Sequence, residues 1–470
     1  MRPLEITILA GHLLTVGWLY AYPDAGGTAV HTVPLLAGLL ILVHMLWEKP
    51  RWQMAPAYTQ SAVVAMVDWA GKWPGFAWNG WAIVSGVALY LAAVVLPYVL
   101  AVPHLPKPTG RYTVGTRTFY VVDTARSDVF ETNGRNPREL MLQVWYPAER
   151  VAKARRAPFI ADFKIGGPAI ARRFGFPPFF LRHMDLAQTH SFLDVPLAVG
   201  GTPFPVLTFS HGYLGLHSQN TWQMEELASQ GYVVVAPNHT GGAILTVFPD
   251  GRVVFGLTAP PDDMPVEQAG RLGMQQWAGD VAFVLDQVAC WAADKAHPFY
   301  GRLDLTRVGS FGHSMGGGTA VQFAHNDARC RALLLLDPWL RPLDEATIRQ
   351  GVDVPLLCLM SEGEFGRTNQ TVAEQLAASG RGDGLVAAIS GSGHYDYSDL
   401  PLLSPLTRLF GAKGSINGRR AAHIINDYTL AFFDLTLRER PSPLLDGETR
   451  YPEVRFSTGP TGEPGSGCES

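Results

Sequence analysis

Residues 306–325 read TRVGSFGHSMGGGTAVQFAH, and the order of residue types in them is what assigns the fold. Thr306 to Phe311 is short, β-branched and apolar, as a buried strand is. Gly317 to His325 is a run of small and apolar residues that reads as a helix. Between them Gly312-His313-Ser314-Met315-Gly316 has the form G-x-S-x-G, so a serine stands on a sharp turn from strand to helix. The string is weak alone, because 49 glycines in 470 residues produce such patterns readily. The strand before it and the helix after it carry the weight. Such a turn forces strained backbone angles on the serine, and a side chain at Gly312 or Gly316 would collide with a neighbouring strand or helix.

Outward from this turn, short apolar runs alternate with helical stretches: PVLTFSHG, GYVVVAPN, the helical QQWAGDVAFVLDQVACWA, RALLLLDPW, VPLLCLMSE and LVAAIS. This rhythm predicts a mostly parallel sheet covered by helices on both faces, the architecture of an α/β-hydrolase fold. A serine hydroxyl is a poor nucleophile until a base takes its proton. His394, in the glycine-rich SGSGHYDYSD after the strand Leu385–Ile389, is the candidate base. Its imidazole then needs a carboxylate to hold the tautomer. Asp337 ends one strand, and Glu362 and Glu364 end the next; the order serine, acid, histidine is met either way. Two backbone N–H groups are needed for an oxyanion: Met315, directly after the serine, and Tyr213, in the loop FSHGY. His211 and His239 read as buried, turn-shaping histidines.

Before about residue 103 the chain is nearly free of charge. Leu4–Tyr22, Val30–Trp47 and Gly80–Val102 each approach the roughly 20 apolar residues a spanning helix needs, and Pro56–Ala70 is a shorter fourth candidate carrying Gln60 and Asp68. The expectation is an N-terminal bundle of three or four transmembrane helices over 1–107, then an α/β-hydrolase domain over 108–470. With three spans, Arg2, Lys49, Arg51 and Lys72 face the cytoplasm, and the protein is a multi-pass membrane protein with its catalytic domain on the non-cytoplasmic side. A net charge of −4 and a charged fraction of 17% argue against nucleic acid as a partner. The four cysteines (Cys290, Cys330, Cys358, Cys468) have no zinc-finger spacing, and the first three read as small buried thiols. No P-loop or H-E-x-x-H occurs, so no cofactor and no metal are expected. The oligomeric state is not legible.

The strands YTVGT…FYVVD and LQVWYPA, then FSHGYLG, GYVVVAPNH, GHSMGGGTA, LLLLDPW, GSGHYDYSD and the closing INGRRAAHIINDYTLAFF resemble the plasma-type platelet-activating-factor acetylhydrolases and their bacterial relatives. The resemblance covers about residues 108–440. It implies that Asp337 rather than Glu362 is the acid, because that family takes its acid from the LLLLDPW strand. It also implies calcium-independent hydrolysis of short or oxidised sn-2 acyl chains of phospholipids; the expected N-terminal helical anchor would hold the domain near a membrane, where such lipid esters are met. The N-terminal segment has no counterpart in the secreted animal enzymes. A general carboxylesterase or a cutinase-like polyester hydrolase would share the serine, histidine and acid. A non-enzymatic receptor or scaffold would lack one of them, and none is missing. Residues 158–200 place Phe159, Phe163, Phe174, Phe176, Phe179 and Phe180 among Arg172, Arg173 and Arg182, which suits either a cap over the site or a contact with anionic headgroups.

Overall fold

In the computed structural model, described over residues 1–21, 28–69, 80–127, 136–260, 264–381, 383–408, 411, 413–446 and 450–458, the stretch 306–325 is a strand, a one-residue turn and a helix. The strand is β8 (Leu303–His313) and the helix α8 (Met315–Asn326), with Ser314 between them. Eleven further strands are described: β1 (Thr113–Ser127), β2 (Pro137–Ala148), β3 (Ser191–Leu193), β4 (Phe204–Ser210), β5 (Val233–Asn238), β6 (Leu245–Val247), β7 (Val253–Phe255), β9 (Cys330–Leu336), β10 (Leu356–Ser361), β11 (Leu385–Ile389) and β12 (Val454–Thr458). The other helices are α1 (Pro3–Ala21), α2 (Thr28–Trp47), α3 (Ala55–Trp69), α4 (Gly80–Val99), α5 (Phe163–Arg173), α6 (Thr221–Ser229), α7 (Val266–Ala293), α9 (Glu345–Gln350), α10 (Glu364–Ala378), α11 (Leu400–Leu403) and α12 (Gly418–Arg438).

Chain contacts divide the protein into two compact units. One is Met1–His104 with Phe180–Ala187 and Leu403–Leu406; the other is Leu105–Phe179, Gln188–Leu402 and Thr407–Ser470. The second unit holds a ten-stranded sheet in the order β12-β11-β10-β9-β8-β4-β5-β2-β1-β3. From β5 to β11 every neighbour pair is parallel, while β2 joins β5, β1 joins β2, and β12 joins β11 antiparallel. Parallel neighbours require long crossovers, and the helices between these strands supply them. The helix α7 turns Met274, Trp277, Val281, Val284, Leu285 and Val288 to one face of the sheet, at spacings of three and four that keep them on one stripe. On α12, Ile424, Ile425, Tyr428, Phe432 and Phe433 form the matching stripe, and Phe433 packs edge-on against Phe311 of β8 from the opposite face. The α12 start is capped: the Asn417 side chain accepts from the Arg419 and Arg420 N–H groups.

The parallel register lines up the strand ends. Ser210 pairs with Gly312, His313 with Leu336, and Leu336 with Leu359, so the loops after β4, β8, β9 and β11 gather along the carboxyl edge of the sheet. Ligand sites of open α/β sheets form at this edge.

The helical unit corrects an expectation. Among the described residues no helix is long and apolar enough to cross a membrane. The N-terminal transmembrane bundle is therefore not supported, and neither is a multi-pass membrane placement with the catalytic domain on the non-cytoplasmic side. The physical reason lies in polar groups that the helices carry at intervals. Glu5 of α1, fully buried, accepts from Arg2 at 2.8 Å and from Arg51 at 2.7 Å, and His12, Thr15 and His44 are buried as well. Tyr58 meets the His44 Nδ1 at 3.0 Å. What the helices do present is apolar surface: Leu35, Leu36, Leu39, Leu42 and Leu46 of α2 are exposed. Within the same unit the Trp52 indole N–H donates to the Phe180 carbonyl at 3.0 Å. Lys72 and Cys468 lie outside the described residues. Of the other cysteines, Cys330 and Cys358 are buried, but Cys290 on α7 is exposed.

Candidate active site

Ser314 has φ 57° and ψ −122°, a left-handed conformation that side chains other than glycine rarely adopt. The turn holds it there. A Cβ on Gly312 would come within 2.2 Å of the Gly316 carbonyl oxygen, and one on Gly316 within 2.0 Å of the Ser210 carbonyl oxygen, so strand and helix meet backbone to backbone. Gly316→Ala is therefore expected to lower the melting temperature of the protein by several degrees, since neither backbone can step aside cheaply. An unchanged melt would show that the elbow is not held by this approach.

The serine hydroxyl lies 3.0 Å from His394 Nε2, and His394 Nδ1 lies 2.7 Å from Asp337 Oδ2. Asp337 is fully buried at the end of β9, where its other oxygen, Oδ1, accepts from the Ser361 N–H at 2.8 Å. The His394 ring sits between Phe365, 3.8 Å away centroid to centroid, and His313, 4.6 Å away. Glu362 is exposed and accepts from the Gly391 N–H at 2.6 Å; Glu364 is exposed at the start of α10. The structure thus brings together Ser314, His394 and Asp337, and leaves both glutamates out of the chain of contacts.

Met315 opens α8, whose first N–H groups have no partner within the helix. Tyr213 lies in the loop after β4. Among the described residues, neither the Tyr213 nor the Met315 N–H donates to a backbone carbonyl outside the helices and strands. Beside them opens an apolar pocket of about 110 Å³ lined by Tyr213, Leu257, Val266, Trp277, Met315 and Trp339. The side chain of Tyr213 is tied back, its hydroxyl donating to the Leu257 carbonyl.

Under the β4 loop is a buried polar chain. His211 Nδ1 bonds the Gly212 carbonyl at 2.7 Å, and its Nε2 accepts from the His239 N–H at 3.1 Å. His239 in turn meets Asp280 at 3.0 Å and the Ser210 hydroxyl at 3.2 Å, and stacks on Trp277 at 4.2 Å. Burial pushes the Asp280 carboxyl up, but Arg138, 2.7 Å away, and His239 outweigh it and hold the group well below the usual carboxylate range. Burial lowers the imidazole pKa of both His211 and His239. Asp280 and Arg138 had no motif to announce them: they lie 142 positions apart, and Asp280 lies 41 from His239.

Among the described residues, one group could offer metal ligands, Glu5, His44 and Glu48 in the helical unit. Arg2 and Arg51 already occupy both Glu5 oxygens, so the donor set suits an ion-pair network better than a cation.

Similarities to known proteins define the class to which the chain belongs. A ferulic acid esterase from Streptomyces cinnamoneus superposes with a TM-score of 0.62 at 27% identity, covering 76% of this chain and all of the esterase. A Thermobifida alba cutinase is 26% identical over 136 residues, 29% of this chain and 36% of the cutinase. The class so defined is a carboxylic ester hydrolase of α/β-hydrolase fold. The family profile for platelet-activating factor acetylhydrolase, isoform II, matches residues 101–251 and 292–440, and the chain belongs to that family. The platelet-activating factor acetylhydrolase of Cavia porcellus is 25% identical over 298 residues, which is 57% of this chain and about two thirds, 67%, of that relative.

Proposed function

We propose that this chain is a serine esterase that hydrolyses short or oxidatively truncated sn-2 acyl esters of phospholipids without calcium, through Ser314, His394 and Asp337. The observation that carries the reading is the continuous contact from Ser314 Oγ through the His394 ring to Asp337 Oδ2, with an apolar pocket lined by Tyr213 and Met315.

In the proposed reaction His394 Nε2 takes the Ser314 proton as the oxygen attacks the ester carbonyl. The carbonyl oxygen becomes an oxyanion held by the Tyr213 and Met315 N–H groups, with the start of α8 adding its dipole. Collapse breaks the bond to the alcohol, which leaves as the lysophospholipid carrying the proton from His394. Water, deprotonated by the same imidazole, then attacks the acyl-enzyme and releases the acid. Asp337 stays ionised throughout and stabilises the charged ring.

Chain length follows from the pocket. Each methylene withdrawn from a lipid phase forfeits about 0.8 kcal/mol unless the protein rehouses it, about fourfold in kcat/KM. The apolar lining of Leu257, Val266, Trp277 and Trp339, beside the proposed oxyanion donors, offers a short chain such a place. Across an sn-2 series from acetyl to palmitoyl in mixed micelles, kcat/KM is expected to be highest at the short end and to persist in excess EDTA. The likeness to a ferulic acid esterase and a cutinase keeps a second reading, a general or polyester-cleaving esterase. Turnover confined to p-nitrophenyl esters or polyester film, or a strict calcium requirement, would move the protein there.

A further inference from the structure

A single file of hydrogen bonds joins the loop that carries Tyr213 to the loop that carries His394. The Gly212 N–H donates to Gln219 Oε1 at 2.9 Å. The Gln219 Nε2 amide donates to His313 Nδ1 at 2.8 Å. His313 Nε2 lies 2.9 Å from the main-chain carbonyl of His394. Each link dictates the next. A backbone N–H can only donate, so the amide oxygen faces Gly212 and the amide nitrogen faces His313. An amide NH₂ can only donate, so His313 Nδ1 must accept, and its single proton sits on Nε2, directed at the His394 carbonyl. The file therefore works only with a neutral His313. Burial, reinforced by the neighbouring His394, lowers the imidazole pKa of His313 well below its ordinary value and keeps it neutral.

The surroundings confirm how tightly the parts are set. A Cβ on Gly212 would come within 3.0 Å of His313 Nδ1 and 3.3 Å of Ser314 Cβ, so the loop backbone rests against the elbow itself. The main chain of Gln219 and the side chain of its neighbour tie the same two loops: the Asp399 N–H donates to the Gln219 carbonyl at 3.0 Å, and the Asn220 side chain donates to the Tyr397 carbonyl at 2.8 Å. The His313 ring also lies against one side of the His394 ring.

We propose that Gln219 is a positioning residue that, through His313, holds the Tyr213-bearing loop and the loop of His394 in one frame, so that the oxyanion donor and the general base are aligned together. It touches neither substrate nor the reacting atoms. The inference rests on the Ser314 esterase reading. Its expected signature is a loss in kcat with little change in KM, because binding of the ground state needs the pocket and not the alignment. A misplacement of about 1 Å between reacting groups costs about 10²-fold, so a partial slackening is expected to cost about tenfold to a hundredfold.

The test uses the full chain with Gln219→Leu, Gln219→Glu, His313→Phe and the double variant Gln219→Leu/His313→Phe. Kinetics on a short-chain ester, thermal melting, and labelling of Ser314 by an organophosphonate are measured in parallel. Gln219→Leu and His313→Phe should each lose about tenfold to a hundredfold in kcat, and the double variant should lose no more than the worse single one. Gln219→Glu still offers an acceptor to the Gly212 N–H but no donor to His313, and should fall between wild type and Gln219→Leu. Wild-type kcat in Gln219→Leu, or single losses that multiply in the double variant, overturns the proposal. So does a loss explained wholly by KM or by a lowered melting temperature across all four variants. Failure of wild-type protein to label at Ser314 removes the esterase reading and this inference with it.

Discussion

Ser314→Ala is expected to abolish ester hydrolysis while leaving the protein folded. The hydroxyl is the only group removed, and the chain of contacts from His394 to Asp337 survives without it. Loss of a nucleophile or its base in such a unit costs about 10⁴- to 10⁶-fold, the remainder coming from oxyanion donors and binding alone. The elbow should tolerate the change: Ser314 already holds φ 57°, and alanine in that conformation is strained no more than serine. The measurement is kcat/KM on a short-chain ester beside a thermal melt, with an organophosphonate expected to label Ser314 in the parent and to leave the variant unlabelled. Replacing the Tyr213 or Met315 side chains should matter far less, because backbone N–H groups are the proposed donors. Full activity in Ser314→Ala would end the reading offered for this site.

Asp337→Asn is expected to lower kcat by up to about 10⁴-fold, the scale seen when a triad aspartate leaves its histidine in the wrong tautomer. The surroundings of Asp337 make that outcome specific. Its Oδ1 accepts from the Ser361 N–H, which can only donate, so an asparagine there must keep its oxygen toward Ser361. Its NH₂ then faces His394 Nδ1 and forces that nitrogen to accept. The ring proton moves to Nε2, which meets Ser314 as a donor and can no longer take its proton. Glu362→Gln should leave the rate within about twofold: the side chain is exposed, and its amide oxygen can still accept from the Gly391 N–H. A crippled Glu362→Gln beside an active Asp337→Asn would transfer the acid's role to β10.

Some of this was legible in the sequence and some was not, for reasons of range. A strand, a turn and a helix are local, so β8, Ser314 and α8 could be read from 306–325, and alternating apolar runs predicted a parallel sheet. Glycines at 312 and 316 pointed to a close approach because nothing larger fits where two backbones meet. The acid was another matter. By spacing alone Asp337, Glu362 and Glu364 stood equal at neighbouring strand ends, and only the resemblance to a known family preferred the first. The structure separates them by the register of β9 on β10 and the loop after β11, which turn His394 toward a buried carboxylate and away from exposed ones.

Hydropathy misled at the N-terminus. A window average counts apolar residues but does not see that Glu5, His44 and Arg51, far apart in the chain, converge in one buried network. Nor could it show that Phe180–Ala187 belongs with those helices. The sequence by itself determined the α/β alternation, Ser314 on its turn and the chain order of Ser314, Asp337 and His394, because each is set by local backbone preference and chain order. Tertiary structure alone decided which carboxylate meets the imidazole, that an apolar pocket forms between Tyr213, Met315 and Trp339, and that Gln219 and His313 link two loops. Asp337 meets His394 across 57 positions and Gln219 meets His313 across 94, and no periodicity in the chain encodes those distances.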